Sequence, residues 1–401
     1  MIDINQIRAD FPIFKNNKDL VYLDSAASSL KVNQAIDAVG DYYCNLGANV
    51  HRGTYALSHE STVRYENARD HVAKLINANR NEVVFTRGTT TSLNMVASMY
   101  RELLKPGDEV ITSELEHHSS VLPWMMATKR AKATLRYVPL TDEGRITIEG
   151  FQQVLTDQTK VVALTLVSNV FGFVSPMKEI IRLAHEKGAI VVVDAAQAVP
   201  HMTVDVKDLD CDYLAFSGHK MFGPSGIGVL YGKIALLNTL EPCEYGGEMV
   251  DDVTKDHIIL NEAPIRLEAG TPIIAGAIGL GAAADYMMSI GLKNIHAYTF
   301  GLKQYAYDQL SKVEGVTIYN ESAETGILTF NVDGVHPHDV ATYLDQYHID
   351  VRAGKHCAYL IHQRLGLQST VRASFQIYNN EEDCDKFVKA IIETKNFFHA
   401  F

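Results

Sequence analysis

Cysteine is scarce and unpaired in this chain: Cys44, Cys211, Cys243, Cys357 and Cys384 are scattered over 401 residues, odd in number, with no C-x-x-C spacing. That argues against a disulfide framework or a zinc knuckle, so no metal site is expected, and a reducing, cytoplasmic setting fits best. Long hydrophobic runs are missing as well. The nearest, Ile273 to Ala284, falls short of a bilayer span, and its three glycines predict close packing inside a fold rather than a membrane partner. The opening MIDINQIRADFPIFKNN has no basic stretch ahead of an apolar core, so no secretory signal is expected. Nor is there an excess of positive charge. A formal net charge of −12 argues against nucleic acid or any other partner held by phosphate neutralisation. The one basic cluster, Lys129, Arg130, Lys132 and Arg136, reads as a solvated helix end. GPSGIG is followed by no G-K-[ST] and does not fit G-x-G-x-x-G, so neither nucleotide motif is present. Internal repeats and low-complexity linkers are also absent.

What is present is an ordinary globular composition, 47% hydrophobic and 21% charged, in a chain long enough for a large domain with a smaller companion. From about residue 80 to 235, short β-branched runs alternate with amphipathic stretches: EVVFT, EVITS, TLRYVPL, KVVALTLVS, AIVVVDA, YLAFS and GIGVLY. This rhythm predicts an α/β fold with a largely parallel sheet. Many of the runs end in small or polar residues, and in an open α/β sheet such ends converge on the ligand crevice. After about residue 290 the pattern changes to GVTIY, GILTFNV, a helix over 337–346, IDVRAG, TVRASF and a closing helix from about Glu381, which reads as a smaller α+β unit.

Lys220 stands at the end of YLAFSGHK, just beyond a buried strand. Desolvation there lowers the amine pKa and makes a nucleophile of it, and a lysine that traps a carbonyl implies a Schiff base, most commonly with pyridoxal phosphate. Asp194 ends AIVVVD, with Gln197 three positions on, and a carboxylate there suits a protonated pyridine nitrogen. Gly88-Thr89-Thr90, between a strand and an amphipathic helix, offers backbone N–H groups and two hydroxyls to a phosphate, and Ser217 and His219 beside the lysine are natural additional donors. One of His117 and His118 in ELEHHSS can lie over an aromatic ring, and chemistry alone does not choose between them. In VRAGKHCAYL, Cys357 follows Lys355 and His356 in a polar loop, surroundings that favour a thiolate. Either Arg352 or Arg372 could clamp a substrate carboxylate.

The motifs LDSAASS, NVHRGTYALS, FTRGTTTSLN, ELEHHSS, DAAQAVPH, FSGHKMFGPSGIGVLYGK, EAGTP and RAGKHC follow in order over nearly the whole chain. Together they resemble the group II cysteine desulfurases of the SufS type, which are fold-type I, class V aminotransferase-like pyridoxal phosphate enzymes. The resemblance implies a seven-stranded, mainly parallel sheet between helices in a large domain over 18–289, and a small α+β domain from 1–17 and 290–401 that carries the nucleophilic cysteine. It implies that Lys220 holds the cofactor as a Schiff base, that Asp194 and Gln197 hold its ring, and that His117 stacks on it. Thr89, Thr90, Ser217 and His219 would bind the phosphate, with Thr271 reaching the phosphate of the other subunit of a homodimer. Asn169, Arg352 and Arg372 would serve the substrate, L-cysteine. Lys220 would remove its α-proton and Cys357 would take its sulfur as a persulfide, releasing alanine. The resemblance further implies a sulfur acceptor of SufU or SufE type, contacted by His338 in VHPHD, and a role in iron–sulfur cluster assembly. Two departures stand out: Lys355 replaces the first histidine of the usual Arg-x-Gly-His-His-Cys-Ala, and Tyr359-Leu360 follows Ala358. The alternatives are a selenocysteine lyase or another pyridoxal phosphate aminotransferase or lyase.

Overall fold

The computed structural model describes residues 3–400. A short strand, β1 (Val21–Tyr22), precedes β2 (Val83–Thr86), β3 (Glu109–Ser113), β4 (Thr134–Val138), β5 (Thr159–Thr165), β6 (Ile190–Asp194), β7 (Tyr213–Ser217) and β8 (Gly228–Gly232). The last seven form one sheet in the order β2-β8-β7-β6-β5-β3-β4. Pairing is parallel throughout except at β8, which runs antiparallel to both β2 and β7.

The continuous β-branched runs exist because both faces of this sheet are covered. Val191 and Val193 of β6 enter one apolar core and Val192 the other; Leu214 and Phe216 of β7 likewise oppose Tyr213 and Ala215. Only β4, at the edge, is substantially accessible, which accounts for Arg136 and Tyr137 within it. Because β5, β6 and β7 are adjacent and parallel, Thr165 lies beside Asp194 and Asp194 beside Ala215, with Ser217 two residues further along β7.

The apolar run after Ile273 becomes the helix Ile274–Ile290, buried on nearly every side. A Cβ added at Gly281 would come within 2.7 Å of the Ala68 backbone, and one at Gly279 within 2.6 Å of Val39. Helices approach this closely only where a side chain is missing. Among the described residues no single helix is long and apolar enough to cross a membrane; Ile274–Ile290 passes such a test only jointly with Leu292–Leu310, across a 77° bend.

A hairpin that the sequence reading did not anticipate, β9 (Val250–Val253) with β10 (Ile258–Leu260), projects exposed apolar side chains. Beyond it, β11 (Val316–Ile318) and β12 (Ile327–Val332) come next, then β13 (Ile349–Asp350), β14 (Arg352–Gly354) and β15 (Thr370–Ser374). Four of them make an antiparallel sheet, β11-β12-β15-β14, with its own core around Phe330, Leu344, Phe375 and Phe387. The segment IDVRAG, expected as one strand, is divided: β13 pairs in parallel with β1, and β14 pairs with β15. Val21 and Leu23 therefore enter the core of the C-terminal sheet, whereas Ile7 and Phe11 pack into the large one. Thus the chain passes between the two cores near its start. Met1, Ile2 and Phe401, included in the expected small domain, lie outside the described residues.

Candidate active site

The C-terminal ends of β5, β6 and β7 open into a cavity of about 180 Å³. Thr165, Asp194 and Ser217 come from the strand ends, Thr89 and Thr90 from the start of the helix Thr89–Arg101, and Arg352, His356, Cys357 and Arg372 from the C-terminal sheet and its loop. His117, Asn169, Gln197, His219 and Lys220 also line it. The sheet's parallel order brings these distant segments together.

Lys220 faces the cavity but is otherwise enclosed by protein. Burial lowers its ammonium pKa to about 8, partly opposed by the carboxylate of Asp194. Asp194 is itself buried, and burial raises its pKa; the Ala196 N–H, 3.0 Å from Oδ1, and the charge of Lys220 favour its ionised form. Gln197 donates from Nε2 to Ala26 O at 2.7 Å, and its buried Oε1 has no partner within the chain. His117 is the histidine that faces the cavity. Its Nδ1 accepts from Ser119 N at 3.1 Å, and burial next to Lys220 lowers its pKa to about 3, so the ring is neutral at physiological pH. His219, with a pKa lowered to about 4 by burial, is neutral too.

At the start of the helix Thr89–Arg101, Gly88 occupies the cap position with φ 148 and provides no side-chain cap. Ser217 Oγ accepts from Thr89 N at 2.8 Å and lies 2.7 Å from Thr89 Oγ1, while Thr90 Oγ1 pairs with Ser119 Oγ at 2.7 Å. Backbone N–H groups and four hydroxyls are thus gathered at the positive end of a helix. Room for them depends on Gly228, where a Cβ would stand 2.4 Å from Gly88 Cα.

Arg372 is fully buried: Nη1 donates to Asn169 O at 2.7 Å, Nη2 to Asp24 Oδ1 at 3.1 Å, and Nε has no partner within the chain. Burial lowers its pKa and raises that of Asp24. Asn169 also donates from Nδ2 to His356 O at 2.7 Å, so it ties the arginine to the cysteine loop. That loop is strained. His356 and Cys357 have φ of 49 and 55, left-handed values at consecutive residues with side chains, a conformation that costs on the order of 1–3 kcal/mol each unless neighbours impose it. One such restraint is Thr370 Oγ1, 2.9 Å from His356 Nε2 and 3.2 Å from His362 Nε2. Cys357 is partly accessible, in contrast to the buried Cys211 and Cys384.

A lysine, a buried carboxylate, a neutral histidine, an anion cradle and a cysteine on one cavity wall match the order of motifs in the sequence. The aminotransferase class-V family model matches residues 21–387. A probable cysteine desulfurase of Halalkalibacterium halodurans is 48% identical, with both chains covered completely, and one of Staphylococcus aureus strain Mu50 is 46% identical over 99% of this chain and 98% of its own. The chain belongs to the class-V aminotransferases, among the cysteine desulfurases. Among solved structures, the Escherichia coli cysteine desulfurase CsdA superposes with a TM-score of 0.93 at 39% identity, and the apo cysteine desulfurase of Thermococcus onnurineus NA1 with 0.94 at 39%, each over 99% of both chains. The seven-stranded sheet is thus the fold of the class-V family.

Within this desulfurase scaffold, two residues singled out from the sequence lie away from the cavity. Thr271 is exposed and lines a separate hollow with Arg87, Glu244 and Glu268. His338 is exposed on the helix Pro337–Asp345, its Nε2 near Gly354, three residues before the cysteine. Among the described residues no cluster of histidine, cysteine or acidic side chains has the make-up of a metal site. Conversely, the sequence reading passed over Asp24 and Glu116. Asp24 lies in the LDSAASS motif, yet only the fold brings it to Arg372. Glu116 is buried with Oε1 accepting from Ser113 Oγ at 2.7 Å, and burial, with Asp194 nearby, raises its pKa to about 8.

Proposed function

We propose that this protein converts L-cysteine to L-alanine and carries the sulfur away as a persulfide on Cys357, with pyridoxal phosphate as cofactor. The observation that carries this reading is the meeting of Lys220, Asp194 and Cys357 on one small cavity. The residues present fit the cofactor. Gln197 Oε1 is a buried acceptor without a partner, Asp194 is a buried carboxylate suited to a ring nitrogen, and the Thr89–Ser217 hydroxyls sit at a helix start without a side-chain cap. Asp194 and Gln197 would hold the ring, with His117 over its face, and Thr89, Thr90, Ser217 and His219 would hold the phosphate. When bound to the substrate amine, pyridoxal phosphate would supply an electron-withdrawing ring that stabilises negative charge at the substrate α-carbon, which leaves Lys220 Nζ free.

The chain's own groups supply the rest. Lys220 Nζ, its basicity tempered by burial, takes the α-proton and later returns a proton. Arg372, held between Asn169 and Asp24, orients the substrate carboxylate, and Arg352 adds positive potential beside Cys357. The Cys357 thiolate attacks the substrate sulfur. A sulfur–sulfur bond forms, the carbon–sulfur bond breaks with its electron pair left on the carbon, and protonation there gives alanine. The sum is cysteine plus enzyme thiol to alanine plus enzyme persulfide, which balances without an external oxidant.

The sulfur is then passed to an acceptor of SufU or SufE type for iron–sulfur cluster assembly, in a cytoplasmic homodimer in which Thr271 meets the partner's phosphate and His338 meets the acceptor. The supports for this finer reading are the order of motifs and the exposure of Thr271 and His338. The decisive assay supplies L-cysteine with and without a candidate acceptor and measures alanine and protein persulfide. Cys357→Ser is expected to lose turnover of cysteine far more than of selenocysteine. Equal loss on both substrates, or no alanine from the parent protein, rejects the reading.

A further inference from the structure

The second histidine of ELEHHSS, which faces away from the cavity, is engaged with the cysteine loop. His118 N donates to Cys357 O at 2.8 Å. On the far side of the loop, Tyr359 N donates to His118 Nε2 at 3.3 Å. The acceptor nitrogen requires a neutral imidazole, and burial lowers the pKa of His118 from its ordinary value. Tyr359 is the first residue of the helix Tyr359–Arg364, whose cap position, Ala358, provides no side-chain oxygen. His118 therefore supplies from another segment the acceptor that this helix start lacks.

The side chains repeat the connection. The rings of His118 and Tyr359 meet edge to face with centroids 4.9 Å apart, and Lys355 Nζ sits 4.8 Å over the tyrosine ring. Lys355 and Tyr359 bracket Cys357, and the backbone closes between them through Ala358 N to Lys355 O at 2.8 Å. Two consecutive left-handed residues stay in place only when the surroundings over-determine them. His118 grips the loop at the second residue of the strained pair and again two residues further on.

We propose that His118 and Tyr359, with Lys355 stacked on the tyrosine, form a clamp that fixes the Cys357 loop to the first turn of the helix His118–Ala131 and limits the reach of the thiol beyond the cavity. The clamp holds Cys357 at the cavity wall, which Lys220 and Arg372 also line. This rests on the reading of Cys357 as the sulfur carrier, and His118 and Tyr359 are positioning residues.

The test is the rate of iodoacetamide alkylation of Cys357 in the pyridoxal phosphate-loaded enzyme without substrate, followed by peptide mass spectrometry. The exposed Cys44 and Cys243 serve as internal references and the buried Cys211 and Cys384 as reporters of unfolding. His118→Ala is expected to raise the Cys357 rate relative to Cys44 about threefold to tenfold, the population change that follows loss of one hydrogen bond, and Tyr359→Ala, which keeps the backbone donor but removes the ring packed on His118 and Lys355, about twofold to tenfold. His118→Gln, whose amide oxygen can accept from Tyr359 N, and Tyr359→Phe, which keeps the ring, are expected to stay near the parent rate. An unchanged ratio in Tyr359→Ala overturns the proposal, as does a His118→Gln protein as fast as His118→Ala. Should His118→Ala also expose Cys211 and Cys384, the exposed position Tyr359 decides. Alkylation needs no turnover, so absence of alanine formation would reject the desulfurase reading without touching this result.

Discussion

Two buried ionisable residues near the cavity give opposite pH signatures. Lys220 has its pKa lowered to about 8, so its neutral, nucleophilic form grows as the pH rises toward that value. In the apo-protein, the rate of condensation with pyridoxal phosphate is expected to increase about tenfold per pH unit below 8 and to level off above it, read from cofactor absorbance. A rate that keeps climbing to pH 10 would place the lysine in an ordinary, solvated environment. Glu116 behaves in the reverse sense. Its folded pKa is raised to about 8 from the usual 4.5, so the stability linked to its proton is complete below pH 4.5 and is lost as the pH rises to about 8. Glu116→Gln carries no such proton. Its melting temperature relative to the parent is expected to rise by a few degrees between pH 5 and pH 8.5, whatever constant cost the amide adds. A difference that does not change with pH would mean that Glu116 is ionised in the fold.

At the scale of elements, the cavity is an arrangement of ends held by a few close approaches. The start of the helix Thr89–Arg101 is pressed against β8 because neither Gly88 nor Gly228 has a side chain. Gly228→Ala must separate them, since its Cβ would meet Gly88 Cα at 2.4 Å with only backbone in the way. The expected result is at least about a tenfold loss of pyridoxal phosphate affinity by fluorescence titration, because the donors at the helix end lose their common aim, while the far-ultraviolet circular dichroism stays unchanged. Undiminished affinity would show that the cradle tolerates displacement. Another buried group fixes the neighbouring EAGTP segment. Glu268 accepts from Arg69 Nη1 at 2.6 Å and Nη2 at 3.0 Å, from Tyr65 OH at 3.0 Å and from Phe85 N at 2.6 Å. One carboxylate thereby anchors the segment bearing Thr271 to β2 and to the helix Ala56–Leu75.

At the scale of the whole molecule, the hairpin β9–β10 presents Val253, Ile258 and Ile259 at 60%, 54% and 42% exposure. Such a surface on a projecting hairpin suits burial against a second copy, in keeping with the proposed homodimer. Replacing Ile258 with aspartate is expected to shift sedimentation from dimer to monomer at micromolar concentration, and an unchanged dimer would move the interface elsewhere. The small sheet and the large one meet at the cavity: β14 and β15 bring Arg352 and Arg372, and the loop after β14 brings Cys357. The proposed site thus draws on elements of both cores.

How much of this could be read beforehand depends on the range of the forces involved. The seven β-branched runs, the helix Pro337–Asp345 and the packing of Ile273–Ala284 were legible because burial writes a local, periodic pattern into a chain. Lys220, Asp194 and Cys357 were legible because each stands in a short motif at the end of a strand or in a polar loop. The strand order was not, since adjacency between β3 and β5 or between β2 and β8 depends on side chains far apart in sequence. For the same reason the split of IDVRAG, the pairing of Asp24 with Arg372 and the grip of His118 on the cysteine loop were hidden. The choice between His117 and His118 shows the division most clearly: the sequence determined that two imidazoles would stand at the start of one helix, and only the packing of that helix decided which would face the cavity and which the loop.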